Sequence, residues 1–526
     1  MITFGFQMSR KNIFFYFLSF LEGASVMAAE LLGAKMLAPY FGSSLYVWAS
    51  VLGITLGGLA MGYFAGGIVS AKKNTERNLY YVLLASALFL VVMPMMAKEV
   101  MVHTAGLSLL TSILISSFIF LFPPVFFMGM VSPLIVRCVL VGISNPDQCS
   151  GKAAGTVYAI STIGGILSTF LLGFYLIPNF GLTKPAIVMG IILGIIPFVK
   201  LITGKKFFSL VFPLAVFFSL NSSKLSLENS DIKILYSSEG LLGQIIVADY
   251  PLYEGEKKVD GSQRILFVNR STQTIVTHQN GKEGYFEYVD LISERSSVIS
   301  HQSSVNPRAL VLGLGGGSVA NELIKNGFEV DAVELDKRMA DCAKTYFDLD
   351  EKVNVHIDDA RHFIQRQSSV VSRQLFDLIV LDAFIGEVNP HHLFTTQFFS
   401  VIKSILSDSG MFFINGNGFW NGEAGRGMRS VCKTLINSGF DVEVVPTSED
   451  EDYRNLLFIA KPIKGNIGQV KSNSISSLNL DDAIILIDEK PQLEILNAEA
   501  NKRWREACMK YFLSGYYSGQ DKLLFK

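Results

Sequence analysis

The stretch that decides the fold of the C-terminal half is "LVLGLGGGSVANELIKNGFEVDAVELD", from Leu310 to Asp336. An apolar run of strand length leads into three consecutive glycines, then into a helical segment, and then into a second apolar run that ends in acids. This order predicts a strand, a tight turn, a helix and a parallel strand, the repeating unit of a doubly wound α/β fold. Ligands of such folds lie at the carboxyl ends of the strands.

The same alternation continues downstream in "VNVHID", "DLIVLDA", "MFFING" and "DVEVVP". We therefore predict a Rossmann-like, methyltransferase-type α/β domain over residues 291–526. Short alternating runs between Ile232 and Gly281 predict a small antiparallel β unit, which together with a polar linker occupies residues 222–290.

Residues 1–221 predict an all-α transmembrane domain, because apolar runs near the roughly 20 residues of a membrane span recur there. The candidate spans are Ile13–Leu32, Leu45–Val69, Leu79–Met96, Leu107–Leu121, Val125–Leu140, Ala153–Pro178, Ala186–Ile202 and Phe207–Leu220. The segment "LFPPVFFMGMVSPLIVR" either continues the preceding span or forms its own, so the predicted count is seven or eight.

Lysines and arginines in short loops predict the orientation of the spans. Arg10, Lys11 and "AKKNTER" place the N-terminus inside the cell. Seven spans then place the C-terminal domain outside and eight place it inside. We expect a multi-pass protein of the inner membrane, surrounded by lipid, with its C-terminal domain in the cytoplasm.

Two acids, Glu22 and Glu30, lie on one face of the first predicted span. An ionisable group inside a membrane is costly and usually faces the bundle interior or a cavity. Glu22 is therefore a candidate for a cation site or proton relay, and a structural pair with Lys35 is the alternative for Glu30. The glycines of "GITLGGLAMGYFAGG" predict close helix packing.

The composition argues against several other functions. A net charge of −1 without a basic block predicts no nucleic-acid partner. The five cysteines show no metal-ligand spacing and are expected to be free thiols, and His391 and His392 are expected to be a loop pair, so we predict no metal site.

Candidate site residues fall at the ends of the predicted strands. Gly315, Gly316 and Gly317 let the backbone approach a ligand, and Glu334 ends the second strand, where an acid suits the hydroxyls of a ribose. "DDAR" (358–361) ends the third strand, where an acid can accept a hydrogen bond from an adenine amine. Asp382 ends the fourth, where a carboxylate reaches the reacting centre or caps a loop.

The residues after the three glycines are Ser318, Val319 and Ala320, so the pyrophosphate-binding glycine pattern of dinucleotide enzymes is missing. This difference favours S-adenosylmethionine, or a derivative of it, over NAD. Asn415 and Asn417 follow the fifth strand and are further candidates to face the pocket.

The motifs "GLGGGS", "VELD", "DDAR", "FDLIVLDAF" and "HHLFTTQFF" resemble the polyamine aminopropyltransferase (spermidine synthase) family. "ELLGAKMLAPYFGSSLYVWASVLGITLGGLAMGY" further resembles bacterial membrane proteins in which a multispan region is fused to a domain of that family. The resemblance implies transfer of an aminopropyl group from decarboxylated S-adenosylmethionine to a diamine, with release of methylthioadenosine and no permanently bound cofactor. A homodimer is left open.

The resemblance also implies roles for single residues. Asp382 would orient the acceptor amine and take its proton, since only a neutral amine attacks the carbon beside a sulfonium. Gln273 would contact the tail of the donor and Tyr288 would line the pocket. Glu334 would hold the ribose, and Asp359 with Ala360 would hold the adenine.

Two positions depart from the family pattern. Ser318 stands where the family has the acid that binds the primary amine of the donor, and Ile385 stands where it has a second acceptor-binding acid. Glu387 is a candidate replacement for that second acid. A site without an acid at position 318 tolerates the carboxylate of intact S-adenosylmethionine.

Three hypotheses follow from these residues. The first is a membrane-bound aminopropyltransferase-like enzyme with an amine acceptor. The second is other chemistry on intact S-adenosylmethionine, namely methyl transfer, aminocarboxypropyl transfer or self-cleavage. The third is a transporter or sensor with a nucleoside-binding domain.

Overall fold

The computed structural model describes residues 10–42, 45–104, 107, 109–141, 146–222, 232–254, 257–279, 282–284, 286–302, 306–369, 375–384, 386–451, 454–463, 468–472, 475 and 478–513. The chain forms two compact units. One comprises Met1–Glu228, Ser238–Gly243 and Leu523–Lys526, and the other comprises Asn229–Ser237 and Gln244–Lys522. The domain limits that the sequence predicts, 1–221, 222–290 and 291–526, stay predictions.

The first unit is helical, as predicted. Its α-helices are α1 (Arg10–Phe41), α2 (Leu45–Ser70), α3 (Thr75–Thr104), α4 (Leu109–Phe120), α5 (Phe122–Leu140), α6 (Pro146–Leu171), α7 (Ile177–Phe180), α8 (Thr183–Thr203) and α9 (Val211–Ser222). A π-helical turn, Leu172–Leu176, joins α6 to α7, and a 3-10 turn, Phe207–Leu210, precedes α9.

Among the described residues, six helices are long and apolar enough to cross a membrane. They are Arg10–Phe41, Tyr46–Ser70, Thr75–Met101, Phe122–Leu140, Cys149–Phe180 and Thr183–Thr203. The predicted count of seven or eight spans is not confirmed, because two predicted spans form only short apolar helices, Leu110–Phe120 and Phe207–Asn221. In "LFPPV" the two prolines lie in the first turn of α5, where proline is tolerated, and they end the helix before it.

Glycines of α2 allow a close approach of α5. A Cβ atom on Gly62 would lie 2.3 Å from the carbonyl oxygen of Phe126, and one on Gly66 would lie 2.6 Å from that of Met130. The prediction of close helix packing is confirmed at these two positions, whereas a Cβ atom on Gly53 would meet nothing within 4 Å.

A five-stranded antiparallel sheet has the order β1-β2-β3-β4-β5, so each strand pairs with the next along the chain. Its strands are β1 (Lys233–Gly240), β2 (Gly243–Glu254), β3 (Lys257–Val268), β4 (Ser271–Gln279) and β5 (Lys282–Gly284). The turn between β3 and β4 consists of Asn269 and Arg270, both in the left-handed conformation that tight hairpins require. The predicted antiparallel β unit is confirmed.

The second sheet has eight strands in the order β13-β11-β12-β10-β9-β6-β7-β8. Its strands are β6 (Arg308–Leu312), β7 (Glu329–Glu334), β8 (Asn354–Ile357), β9 (Phe376–Leu381), β10 (Leu406–Asn417), β11 (Phe440–Pro446), β12 (Asn455–Pro462) and β13 (Val470–Lys471). The helices around it are α10 (Glu287–Gln302), α11 (Ser318–Lys325), α12 (Lys337–Tyr346), α13 (Ala360–Ser369), α14 (Thr396–Ile405), α15 (Arg426–Asn437), α16 (Leu493–Leu496) and α17 (Ala498–Leu513).

Successive residues of β6 point to opposite faces of this sheet. Leu310 and Leu312 pack in one hydrophobic cluster, while Ala309 and Val311 pack in the other. Both faces are therefore covered, as in α/β folds with a parallel core. The predicted Rossmann-like α/β architecture is confirmed.

The strand order places a binding crevice at the end of β6. This strand pairs in parallel with β7 on one side and with β9 on the other. The connections that follow β6 and β8 therefore run to opposite sides of β6 in the sheet. In open α/β sheets, ligands bind at such a switch point, at the carboxyl ends of the strands. Glu334 and Asp382 stand at the ends of the two neighbouring strands.

Candidate functional site

The glycine turn after β6 forms the first wall of the site. The amide of Gly316 donates a hydrogen bond to Thr274 Oγ1 in β4, at 2.9 Å. Gly317 adopts the left-handed conformation (φ 87°) at the start of α11, and Ser318 is the buried first residue of that helix. The turn thus lies against the β3–β4 hairpin, at the carboxyl end of β6.

Glu334 lies beside this turn. One of its carboxylate oxygens accepts the amide of Leu314 at 3.1 Å, and the other accepts that of Asp336 at 2.8 Å. Burial raises the pKa of Glu334, and hydrogen bonds from the amides of Asp336, Leu314 and Gly315 oppose that rise. A carboxylate has about four acceptor positions. These three amides therefore leave room for one further donor, such as a ribose hydroxyl.

Asp382 follows β9 and is held by two side chains. Tyr288 donates its hydroxyl to one carboxylate oxygen at 3.0 Å, and the Asn415 amide donates to the other at 2.8 Å. Asn455 in turn donates to the Asn415 side-chain oxygen at 2.9 Å, which leaves the Asn415 amide aimed at Asp382. A Cβ atom on Gly313 would lie 2.2 Å from the Asp382 carbonyl oxygen, so glycine is required there.

The chemistry of Asp382 follows from this environment. Burial raises its pKa above the ordinary range of an aspartate, and the bonds from Asn415 and Tyr288 act in the opposite direction. Burial and the charge of Asp382 raise the pKa of Tyr288 well above its usual value, so the phenol remains a donor. The carboxylate is thus fixed in position with a raised proton affinity, as a general base requires.

Gln273 of β4 contacts the loop after β9, which also carries Glu387. The Gln273 amide donates to the carbonyl oxygen of Gly386 at 3.1 Å. Glu387 is buried and accepts a 2.5 Å bond from Arg505 of α17, which also donates to the Asn269 carbonyl oxygen. The predicted role of Glu387 as an amine-binding acid stays a prediction, and its carboxylate already has a cationic partner. Ile385, the other predicted departure, lies outside the described residues.

Asp359 and Ala360 begin α13. The first oxygen of Asp359 accepts the amide of His362 at 3.0 Å, so this acid caps the helix, and the second lies 3.1 Å from His392 Nε2. The predicted contact of Asp359 with adenine stays a prediction, since these partners use part of its acceptor capacity. His392 lies in a short 3-10 turn, His391–Leu393, and the prediction that His391 and His392 are a loop pair stays a prediction.

The candidate residues of the helical unit lie on α1. Glu22 is buried and accepts a hydrogen bond from the Ser161 hydroxyl of α6 at 2.9 Å. Glu30 is half-buried, and the Lys35 ammonium lies over the Trp48 ring, 5.4 Å from its centroid. Of the two acids, Glu22 alone is enclosed.

The structure brings together most of the predicted residues of the C-terminal unit and adds three that sequence reasoning missed. Thr274 stands beside Gln273 in "STQT", where the spacing gave no sign of its bond to the glycine turn. Asn455 reaches Asn415 only because β12 pairs with β10. Arg505 comes from the last helix, far along the chain and without a motif. Of the predicted residues, Asn417 instead accepts the Phe419 amide.

The strand order, the glycine turn and the acids at the ends of β7 and β9 define the second unit as a Rossmann-like α/β domain. Residues 293–448 match the family model of the spermine/spermidine synthase domain. The chain therefore carries a C-terminal domain of that family.

Two curated relatives cover parts of this domain. An N-terminal histidine N-methyltransferase of Emericella nidulans is 38% identical over 114 residues, which are 22% of this chain and 20% of that protein. A polyamine aminopropyltransferase of Vibrio vulnificus is 41% identical over 112 residues, which are 20% of this chain and 37% of that protein. The chain thus spans well under half the length of either relative. Among solved structures, a probable spermidine synthase from Corynebacterium glutamicum aligns with 43% of this chain and 79% of its own, at 20% identity and a TM-score of 0.34.

The raised pKa of Asp382 predicts how activity depends on pH. A general base works only when deprotonated, so turnover should fall as the pH drops through the Asp382 pKa, at a higher pH than the roughly 4 of an ordinary aspartate. Tyr288→Phe removes a bond that stabilises the charged form, and should move this acidic limb further up. Tyr346→Phe, a substitution outside this site, is the matched control. If the acidic limb of the pH profile stays at the same pH in Tyr288→Phe, the result would contradict the assignment of Asp382 as the general base.

The geometry of Glu334 predicts an effect on nucleoside binding. Glu334→Gln removes the charge that we expect a ribose hydroxyl to meet, and should weaken binding of methylthioadenosine about tenfold or more, measured by calorimetry. Glu329→Gln makes the same change at the opposite end of β7 and should leave the affinity unchanged. Equal losses in the two variants would indicate a general effect on the fold.

Proposed function

We propose that this chain is a membrane-bound, aminopropyltransferase-like enzyme. It takes a sulfonium donor derived from S-adenosylmethionine, transfers the alkyl chain to an amine acceptor and releases methylthioadenosine. The observation that carries this proposal is Asp382, fixed by Tyr288 and Asn415 at the switch point of the sheet, beside the glycine turn and Glu334. The match to the spermine/spermidine synthase domain and the similarity to a named aminopropyltransferase support it.

The residues of the site suggest the following sequence of events. Glu334 binds a ribose hydroxyl, and the backbone of Gly315–Gly317 lies against the nucleoside. Asp382 accepts a hydrogen bond from the neutral acceptor amine and aims its lone pair at the carbon next to the sulfonium. The nitrogen–carbon bond forms as the carbon–sulfur bond breaks, and the sulfur leaves as a neutral thioether. The proton released from the nitrogen passes to Asp382.

The donor is either decarboxylated or intact S-adenosylmethionine, used as a co-substrate and not bound permanently. Ser318 favours the second candidate reaction class, chemistry on the intact donor. It begins α11 beside the glycine turn, and a helix N-terminus favours an anion such as the donor carboxylate. The chemistries in this class are methyl transfer, aminocarboxypropyl transfer and self-cleavage.

Donor choice is tested by incubating the full-length protein with each donor, with and without putrescine, and measuring both methylthioadenosine and S-adenosylhomocysteine, the product of methyl transfer, by chromatography. The aminopropyltransferase proposal expects release from the decarboxylated donor that depends on putrescine. Ser318→Asp places an acid beside the glycine turn and should raise the preference for the decarboxylated donor, whereas Ser318→Ala should not. Release from the intact donor alone would favour the second class, and no turnover with either donor would favour a transporter or sensor.

For location, we propose a multi-pass inner-membrane protein whose helical unit is surrounded by the lipid bilayer, with the transferase unit in the cytoplasm. The six long apolar helices support a membrane location. A reporter fused to the C-terminus tests the side of the membrane, and a signal from outside the cell would contradict a reaction that needs a cytosolic donor.

A further inference from the structure

The helical unit contains a cavity that the proposed reaction does not use. It has a volume of about 430 Å³ and is lined by residues of α1, α2 and α6. Most of its wall is apolar and includes Val26, Leu59, Ile166 and Phe170. The space is large enough for a small organic molecule and, from its lining, would favour an apolar one.

One ionisable group interrupts this apolar wall. Glu22 lines the cavity, is only 2% exposed, and accepts hydrogen bonds from the hydroxyls of Ser161 on α6 and Ser132 on α5. Hydroxyls satisfy the carboxylate oxygens but supply no positive charge. None of the described residues that line the cavity is a lysine or an arginine. A carboxylate in such surroundings favours a cationic partner, because an unpaired buried charge is costly.

The backbone of α1 and α6 fixes this acid in place. A Cβ atom on Gly23, the residue after Glu22, would lie 1.9 Å from the carbonyl oxygen of Ser161. The two helices therefore touch at the position where the Ser161 hydroxyl meets Glu22. The Glu22 side chain is therefore held in place where α1 and α6 are in close contact.

A tyrosine also lines the cavity. Tyr63 of α2 belongs to its lining and meets Tyr158 of α6 edge to face, with ring centroids 6.1 Å apart. The faces of such rings attract cations. Two apolar side chains of this unit, Phe64 on α2 and Phe174 in the π-helical turn after α6, are 75% exposed, as expected for a surface in contact with lipid.

We propose that this cavity binds a small organic ammonium ion with a single charge and an apolar body. The ammonium group pairs with Glu22 and meets the Ser161 hydroxyl, while the apolar body lies against Leu59 and Ile166. One carboxylate matches one positive charge. A polyamine would leave its other charges against the apolar wall and is therefore disfavoured. This binding site does not rest on the proposed transferase reaction.

The proposal is tested by the binding of radiolabelled phenethylamine to the full-length protein in lipid nanodiscs. We expect saturable binding that the neutral isostere 2-phenylethanol does not displace. Glu22→Gln should weaken the affinity roughly 30-fold or more, the usual result of removing one partner of a buried charge pair. Glu30→Gln makes the same change on the same helix and should leave the affinity unaltered.

A second variant covers the case in which Glu22→Gln does not fold. Leu59→Trp fills the cavity without touching the charge, and should also abolish binding. The proposal is overturned if phenethylamine shows no saturable binding, if 2-phenylethanol competes equally, or if Glu30→Gln weakens binding as much as Glu22→Gln does. Methylthioadenosine release should be unchanged in Glu22→Gln, which separates a failure of this inference from a failure of the proposed reaction.

Discussion

Asp382→Asn should lower turnover roughly 100- to 10,000-fold, the usual contribution of a positioned general base. The amide has nearly the same shape as the carboxylate, but it cannot take a proton from the acceptor amine. Asn415 and Tyr288 both donate to Asp382 in the native protein. An amide at position 382 has one acceptor oxygen, so one of the two bonds is lost as well.

The measurement is the rate of methylthioadenosine release at saturating donor, together with the affinity for methylthioadenosine. The rate should fall while the affinity changes little, because Glu334 and the glycine turn are untouched. Asp408→Asn, an exposed acid on β10, is the matched control and should behave like the native protein. If Asp382→Asn turns over within a few-fold of the native rate, Asp382 caps the loop and is not the general base.

Arg505→Met should destabilise the C-terminal unit by about 3–5 kcal/mol, because it leaves a buried carboxylate without its cationic partner. Arg505 and Glu387 are each only about 6% exposed and lie 2.5 Å apart. Arg505 also donates to the carbonyl oxygen of Asn269, in the turn between β3 and β4. Its loss should therefore loosen α17, the β3–β4 turn and the loop after β9 together.

Hydrogen exchange of the full-length protein, read at these three segments, measures the effect. Replacing both partners with apolar residues, Glu387→Leu with Arg505→Met, should restore much of the protection, since a buried ion pair is often neutral against a well-packed apolar pair. Lys337→Met breaks the exposed pair with Asp341 and should change little. If hydrogen exchange in Arg505→Met is as slow as in Lys337→Met, the Arg505–Glu387 pair does not hold the loop after β9.

The sequence predicted the parts of the site that depend on local pattern. Gly315, Glu334 and Asp382 each follow an apolar run of strand length, and parallel strands bring their carboxyl ends to one edge. That edge is where the structure places them. The family resemblance correctly predicted a spermidine-synthase-like domain. Residues 293–448 match the family model of that domain.

The remaining parts depend on contacts between distant segments, which single-sequence patterns do not encode. Asn455 supports Asn415 because β12 runs antiparallel to β10, and neither residue belongs to a motif. Arg505 reaches Glu387 from a helix more than a hundred residues further along the chain. The predicted span count is not confirmed, since apolar composition alone does not show that two of the predicted spans form only the short helices Leu110–Phe120 and Phe207–Asn221.

The most direct test of aminopropyl transfer follows the alkyl chain itself. Full-length protein in nanodiscs is given decarboxylated S-adenosylmethionine labelled with ¹³C in the aminopropyl group, together with putrescine, and the products are read by mass spectrometry. We expect labelled spermidine and unlabelled methylthioadenosine in equal amounts, both lost in Asp382→Asn. Methylthioadenosine formed without any labelled amine product would contradict aminopropyl transfer.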